Sequence, residues 1–435
     1  YPGIRSDSDM HTLGFRFKPW LHDKSIADGP SILNYLHETI DEYELNENIL
    51  LNHKVNSANW NSNDSVWELE ILENNNVIKM TCNFLFLCGG YYSYKEPHMP
   101  YFKNQENFKG KIIHPQFWNS DINYNDKKIA VIGSGATAIT IVPALSKKAK
   151  HVVMVQRSPS YVISMPSEDR INKFLRRMLP NKLTYFFVRW KNIIWQSYTF
   201  FMARTFPNRI KNSILQRLED ELGPNYNIKK HFTPTYKPWD QRMCLVPDSD
   251  LFKAINKNKV SVVTDTIKEF QSNGILLNSG KEISADIIIT ATGIKLNSFN
   301  DINVAIDKEK VNANDRLTYK GMMLGGVPNF AYTFGYVNAS WTLRADLTSE
   351  YVCRLINLMD KKGFKCCEPI DDKSAYGDDQ LIDFTSGYFQ RGLNQMPKQG
   401  NKSPWKNYQN YLKDIIAVRL MSIDDANLKF DKLKD

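Results

Sequence analysis

The sequence has no C-x-x-C pair among its six cysteines, Cys82, Cys88, Cys244, Cys353, Cys366 and Cys367. That argues against a thioredoxin-like dithiol and against a zinc ribbon, and no metal site is expected. Without a disulfide framework, a reducing compartment is expected, the cytoplasm. Cys82 and Cys88 flank an apolar run and read as small buried hydrophobes. The sequence also lacks an apolar run of about 18 residues, so no membrane span is expected. The most apolar stretch, Ile193 to Ala203, is broken by Gln196 and Ser197. The first residue is Tyr1, and no signal-peptide pattern is read at the start. The chain opens on Tyr1-Pro2-Gly3, a turn, as a chain beginning mid-protein would.

What is present is a globular composition, 42% hydrophobic and 24% charged. Its 435 residues suggest two or three domains. The formal charge of +9 is uneven. Tyr161 to Lys237 holds 14 Lys/Arg against 5 Asp/Glu, a net of +9, and the remainder is neutral. A nucleic-acid binder would normally spread its positive charge more widely.

Residues 1–30 read as loop. Ser31 to Tyr43 has helical spacing, with Ile32, Leu33, Leu36 and Ile40 on one face. Asn52–Trp60 and Val66–Leu72 alternate as strands do, Glu73 to Asn76 is a turn, and Val77–Thr81 returns. The apolar strand Phe84 to Cys88 then ends at Gly89-Gly90. A second copy of the arrangement lies downstream: Val260–Thr264, Thr266–Gln271, a turn at Ser272-Asn273-Gly274, Ile275–Leu277, and Ala285–Thr290 ending at Gly293.

Between the copies lies a nucleotide-binding pattern. The buried strand Lys128–Ile132 runs into Gly133-Ser134-Gly135-Ala136-Thr137-Ala138, an apolar helix follows to Leu145, and His151–Val155 is the next strand. This is the full context that G-x-G-x-x-G/A requires. Gly133 permits the turn, Gly135 lets backbone approach a pyrophosphate, and Ala138 lets the helix pack on the strand. The phosphates would sit on the helix N-terminus. An NAD site places a carboxylate at the end of the second strand. Here that end reads Gln156-Arg157-Ser158. A guanidinium suits a 2′-phosphate, so the expected cofactor is NADPH.

Two closing patterns imply two dinucleotide-binding domains, yet there is one glycine-rich loop. The second closing pattern belongs to the NADPH domain. The first closes a domain whose opening unit of about 30 residues is expected before Tyr1.

These residues carry a family resemblance. Phe108-Lys109-Gly110-Lys111-Ile112-Ile113-His114-Pro115-Gln116-Phe117-Trp118 follows F-x-G-x-x-x-H-x-x-x-W, with Asn119 at the usual Pro/Asp position. It directly precedes the NADPH strand. Tyr1 to Asp7, Asp286 to Gly293, Arg189-Trp190-Lys191-Asn192, Trp239-Asp240-Gln241-Arg242 and Asn338 to Leu343 add to it. The chain resembles class B flavoprotein monooxygenases, in particular the Baeyer–Villiger group.

The resemblance implies an α/β fold of two Rossmann-like domains, for FAD and NADPH, the NADPH domain inserted in the FAD domain and carrying a helical insertion. The boundaries would be 1–112 for the first part of the FAD domain, 113–160 with 238–293 for the NADPH domain, 161–237 for the helical insertion, and 294–435 for the second FAD part. It also implies that NADPH reduces FAD, that reduced flavin and O₂ give a C4a-peroxyflavin, and that this converts an apolar ketone to an ester or lactone, with oxidation of sulfur as a further activity. The alternatives are an N- or S-oxygenating flavin-containing monooxygenase and an inactive NADPH-binding fragment.

By resemblance Arg242 is the cation that holds the peroxide anion, and Asp7 orients it. Arg is suited to this because it stays charged and presents a fixed fork. Arg5 and Ser6 match positions near nicotinamide, and Val55 matches a backbone contact to the FAD adenine. His114 reads as a buried hinge residue rather than a base. Trp341 reads equally as a core residue and as a cavity wall. Tyr161 to Lys237, which holds 14 aromatics and is divided by Pro180 and Pro207, has three readings. They are a packed helical cap over the substrate entrance, a peripheral membrane face admitting apolar substrates, and a nucleic-acid surface.

Overall fold

A computed structural model describes residues 1–377, 381 and 384–432. Contacts divide the chain into two compact units: Tyr1–Glu38 with Glu96–Ile294, and Thr39–Lys95 with Lys295–Asp435. The two units thus alternate along the sequence, each built from two segments, and the boundaries differ from those expected. Residues 1–38 and 96–112 join the first unit. The reason is pairing: Lys111–Ile113 is a strand of that unit's sheet, and Arg189 and Asn192 of the same unit bind residues 9–14.

The first unit is built on a five-stranded parallel sheet. Its strands are β1 (Lys111–Ile113), β2 (Lys128–Ile132), β3 (His151–Gln156), β4 (Val260–Thr264) and β5 (Ile287–Thr290), in the order β4-β3-β2-β5-β1. Order 3-2-1-4 around the glycine turn is that of a dinucleotide-binding half. Strand β2 is apolar from Ile129 to Ile132 because both sheet faces are covered there. Ile129, Ala130 and Val131 are at most 1% exposed. Helix α1 (Ala136–Leu145) is apolar on nearly every side and buries Ala138, Ile141, Val142 and Leu145 fully. Truncating one of these large side chains to Ala would cost about 2–5 kcal/mol.

The helical insertion is framed by a short parallel pair, Val162–Met165 with Cys244–Pro247. It contains α2 (Arg170–Leu175), α3 (Asn181–Thr205) and α4 (Pro207–Leu222). Pro180 directly precedes α3 and Pro207 opens α4, where a missing N–H costs nothing. The prolines therefore divide the segment as expected.

In the second unit, Asn76–Cys82, Val66–Glu73, His53–Asn61, Asn303–Ile306 and Glu309–Lys310 form one mixed sheet. The Asn74-Asn75 turn has positive φ at both residues, as a tight hairpin demands. Leu85–Leu87 pairs in parallel with Phe330–Tyr332. Trp60, Trp67 and Phe330 fill the core beneath.

Two readings of single positions are corrected. In helix Gly29–Glu42 the buried face carries Tyr35, while Leu33 is 54% and Leu36 38% exposed. The Tyr35 hydroxyl accepts from the Phe15 N–H and donates to the Lys18 carbonyl, and its ring packs on Trp20. That anchorage, rather than the leucine spacing, sets the helix rotation. Cys88 is exposed and Cys82 only half-buried, because each stands at the end of its strand; Cys244 and Cys367 are the buried pair.

Candidate active site

The glycine turn has the form a dinucleotide needs. Gly133 has φ +144°, and a Cβ there would lie 2.4 Å from the Ala291 carbonyl oxygen, so only glycine fits. Gly135 is exposed, with nothing within 4 Å of its Cβ direction, which leaves the backbone open to a ligand. It is the N-cap of α1 and offers no side-chain cap. The first-turn N–H groups at Ala136, Thr137 and Ala138 lack helical partners, which is what an anion requires. Ser134 Oγ donates to the Ser158 carbonyl at 3.0 Å and lies 3.0 Å from Ser160 Oγ. The turn is thereby tied to the end of β3, where Arg157 and Ser158 are exposed.

Beside α1 lies a cavity of about 290 Å³. Tyr1, Arg5, Ser6 and Asp7 line it on one side, Ala136 and Thr140 on another, and Arg242 to Leu245 on a third. Arg242 Nη2 meets Asp7 Oδ2 at 2.5 Å. The Arg242 side chain keeps 27% of its surface, so it is paired and still reachable. Arg242 leaves a turn in which Trp239 has φ +68°, a strained value for a bulky residue. Asp240 steadies that turn by accepting from Arg204 and from the Lys237 N–H. On the other side, Ser6 is fixed by two hydrogen bonds with the Ala27 backbone, at 2.8 and 3.0 Å.

Cys244 also lines the cavity, but burial pushes its thiol up to about 12. It is protonated at neutral pH and is no nucleophile. Burial likewise lowers the His114 pKa below its ordinary value. His114 is 8% exposed and its Nδ1 accepts from the Gln116 N–H at 3.2 Å. It is uncharged at neutral pH.

The expected residues thus fall into three sets. Arg5, Ser6, Asp7, Ala136 and Arg242 share one cavity. Gly133, Ser134, Gly135, Thr137, Ala138, Arg157 and Ser158 form the adjoining turn and strand end. Phe108, Gly110, His114 and Trp118 stand around edge strand β1 and line no part of the cavity. A Cβ at Gly110 would lie 2.3 Å from the Asp286 carbonyl oxygen, which explains the glycine of that motif. Val55 belongs to the other unit, at a bulge in His53–Asn61. Trp341 stacks on Tyr91 and Phe334 as a core residue.

Some partners were not expected. Arg5 Nη1 pairs with Asp250 Oδ2 at 2.5 Å, which fixes one cavity wall. Asp9 caps the short helix Met10–Leu13 and is itself held by Asn192 and Gln196 of α3. The only sequence signal was the shared stretch Arg189 to Asn192.

The glycine turn and the open helix N-terminus have the form of a dinucleotide site, and comparison with known proteins gives the family. A flavin-binding monooxygenase-like family model matches residues 22–326. The chain belongs to that family. It is 50% identical over 433 residues to the FAD-containing monooxygenase EthA of Mycobacterium tuberculosis, covering 99% of this chain and 88% of the relative. It is 44% identical over 439 residues to the probable FAD-binding monooxygenase AlmA of Acinetobacter baylyi, covering 100% and 88%. Among solved structures, a steroid monooxygenase bound to NADP matches with TM-score 0.77 at 19% identity, covering 99% of this chain and 91% of that one. An ε-caprolactone-bound cyclohexanone monooxygenase matches with TM-score 0.76 at 17% identity and the same coverage. These structural matches show the fold.

Proposed function

We propose that this chain is an FAD- and NADPH-dependent monooxygenase of Baeyer–Villiger type that inserts one oxygen of O₂ into small or medium apolar ketones, with sulfur-containing substrates as a second class. The observation that carries this reading is the Arg242–Asp7 pair, which faces a polar cavity beside the uncapped N-terminus of α1.

The residues fit NADPH. Gly133 and Gly135 leave room for its diphosphate, the first turn of α1 supplies N–H donors, and Arg157 would take the 2′-phosphate. Arg5 and Ser6 would border its nicotinamide. The second unit fits one edge of FAD. Its parallel pair Leu85–Leu87 and Phe330–Tyr332 leads into Gly89-Gly90 and Gly335, and the Asn300 Oδ1 beside Gly89 is buried without a hydrogen-bond partner. Ligands sit at such strand ends. The cavity there measures about 20 Å³, room for one water, so the flavin ring is not placed in it. The Val55 backbone is the proposed adenine contact.

FAD, when bound, supplies the oxygen activation, and the protein supplies position and charge. Arg242 stabilises the negative charge that oxygen insertion develops, because its guanidinium cannot give up its proton. Asp7 holds that guanidinium in one orientation. Neutral His114 keeps the linker in place and moves no proton. The same reading puts the enzyme in the cytoplasm, with a peripheral membrane contact through 161–237.

The test is to supply FAD, NADPH and ¹⁸O₂ to the chain with an apolar ketone and, in parallel, a sulfide. An ester carrying one ¹⁸O supports the reading. Sulfoxide without ester would favour an S-oxygenase instead, and NADPH binding without either product an inactive fragment.

A further inference from the structure

Helix α3 has two unlike faces. The inner face is polar and tightly bonded. Asn192 and Gln196 donate to the two Asp9 carboxylate oxygens at 2.7 and 2.8 Å, and Arg189 donates to the His11 and Gly14 carbonyls at 2.8 Å each. The outer face is apolar and open. Leu183, Phe187, Ile194, Trp195, Tyr198 and Phe201 are 49–60% exposed and recur at helical spacing along about 27 Å of helix. One charged residue falls within the run: Lys191, four residues from both Phe187 and Trp195, whose Nζ is paired with Asp169 Oδ2 at 2.5 Å; Lys182 and Arg204 stand at the ends, and Arg189 is on the bonded side. On the neighbouring segment Phe174 and Met178 are 59% and 67% exposed. Single exposed hydrophobics need no explanation, but a contiguous stripe of this size marks an interaction surface.

The charge around the stripe selects the partner. From Arg170 to Leu218 there are eleven Lys/Arg and not one Asp or Glu. Arg170, Arg177 and Lys182 are exposed. Lys173, Arg176, Lys191 and Arg204 are paired with Glu168, Asp23, Asp169 and Asp240, but a second copy docking this face on itself would still set exposed cations such as Arg170, Arg177 and Lys182 against like charge. An anionic lipid surface answers them everywhere. Among the described residues no helix is long and apolar enough to cross a membrane. The helix can therefore lie on a bilayer but not span it.

We propose that the outer face of α3 seats in the headgroup–acyl boundary of an anionic lipid surface. This narrows the peripheral contact of 161–237 to one helix face and one lipid class. The Asp7–Asp9 segment then lies about one helix diameter, roughly 10 Å, from the acyl layer. Apolar substrate can enter from the lipid, a consequence that rests on the ketone reading; the binding itself does not.

Flotation of the full chain, loaded with NADPH, tests this. Phosphatidylcholine vesicles are used with and without phosphatidylglycerol, at low and high salt. The wild type should float with the anionic vesicles at low salt, at least about tenfold more than with phosphatidylcholine alone, with a blue shift of Trp195 emission. The triple variant Phe187→Ser/Trp195→Ser/Phe201→Ser should lose that binding while keeping its circular dichroism and NADPH affinity. The separate variant Arg177→Glu/Lys182→Glu should lose it as well. Wild type that stays behind with anionic vesicles at low salt overturns the proposal. So does a dimer, seen by light scattering, that the triple variant dissociates and vesicles do not compete with. Flotation without ester formation would overturn the ketone reading alone.

Discussion

Arg242 and Asp7 stand 235 residues apart in the chain and meet at 2.5 Å, beside the first turn of the helix that follows the glycine loop. The pair joins two segments, one entering the strand Cys244–Pro247 and one leading into the helix Met10–Leu13. Each is anchored independently, through Asp240 and through Asp9. The geometry is therefore set before any ligand arrives.

Cofactor choice should follow Arg157. Replacing it with Ala removes a charge-assisted contact to the 2′-phosphate and should raise KM for NADPH about tenfold or more, with NADH little affected. Gly133→Ala should weaken both cofactors, because its Cβ would press on the Ala291 carbonyl. Steady-state oxidation of the two nucleotides checks both.

Arg189 should be a stability residue. It is 5% exposed, and Nη1 serves the carbonyls of His11 and Gly14. Arg189→Met strands these acceptors and should cost about 2–4 kcal/mol, read as a lower Tm. A normal Tm would show that the inner face of α3 is not held as described.

These two positions differ in how readable they were. The β2 strand, the glycine turn and α1 were legible because that pattern is local: the apolar run Ile129–Ile132, a positive-φ glycine and a helix start lie within 18 residues, Lys128 to Leu145. Arg242 and Asp7 were reached only by resemblance, since nothing in either segment announces a partner so far away. The role of Arg189 was hidden, because a basic residue in an aromatic helix looks solvent-exposed until its carbonyl partners are seen. The leucines of Gly29–Glu42 misled because one buried tyrosine outweighed their spacing. The domain boundary misled because a single edge strand carried residues 96–112 into the other unit.

Acid should loosen the first unit. Burial lowers the pKa of His11, His114 and His231 from the ordinary 6.5. A base whose pKa is depressed by folding binds more protons when unfolded. Its stability contribution is complete above about 6.5, falls as pH drops below that value, and levels off under the folded pKa. Tm should therefore decline between about pH 7 and about pH 5.5. The variant His11→Gln/His114→Gln/His231→Gln should show a flatter profile over that window; an equal decline would assign the effect elsewhere.

Thiol chemistry should spare the site. Cys88 and Cys353 are exposed, whereas Cys244 is buried with its thiol pushed up to about 12. Alkylation of the folded chain near neutral pH, read by mass spectrometry, should modify Cys88 and Cys353 before Cys244. Loss of oxygenation on labelling Cys88 alone would support the FAD edge proposed at the adjoining Gly89-Gly90, and loss on labelling Cys244 would contradict its burial.

On the proposed function, Arg242 stabilises charge during oxygen insertion and takes no part in the preceding hydride transfer. Arg242→Ala, compared with wild type, tests it in one experiment that follows NADPH-driven flavin reduction and ester formation together. Near-normal reduction is expected, with ester formation lowered about 10²–10³-fold. Undiminished ester formation would contradict it.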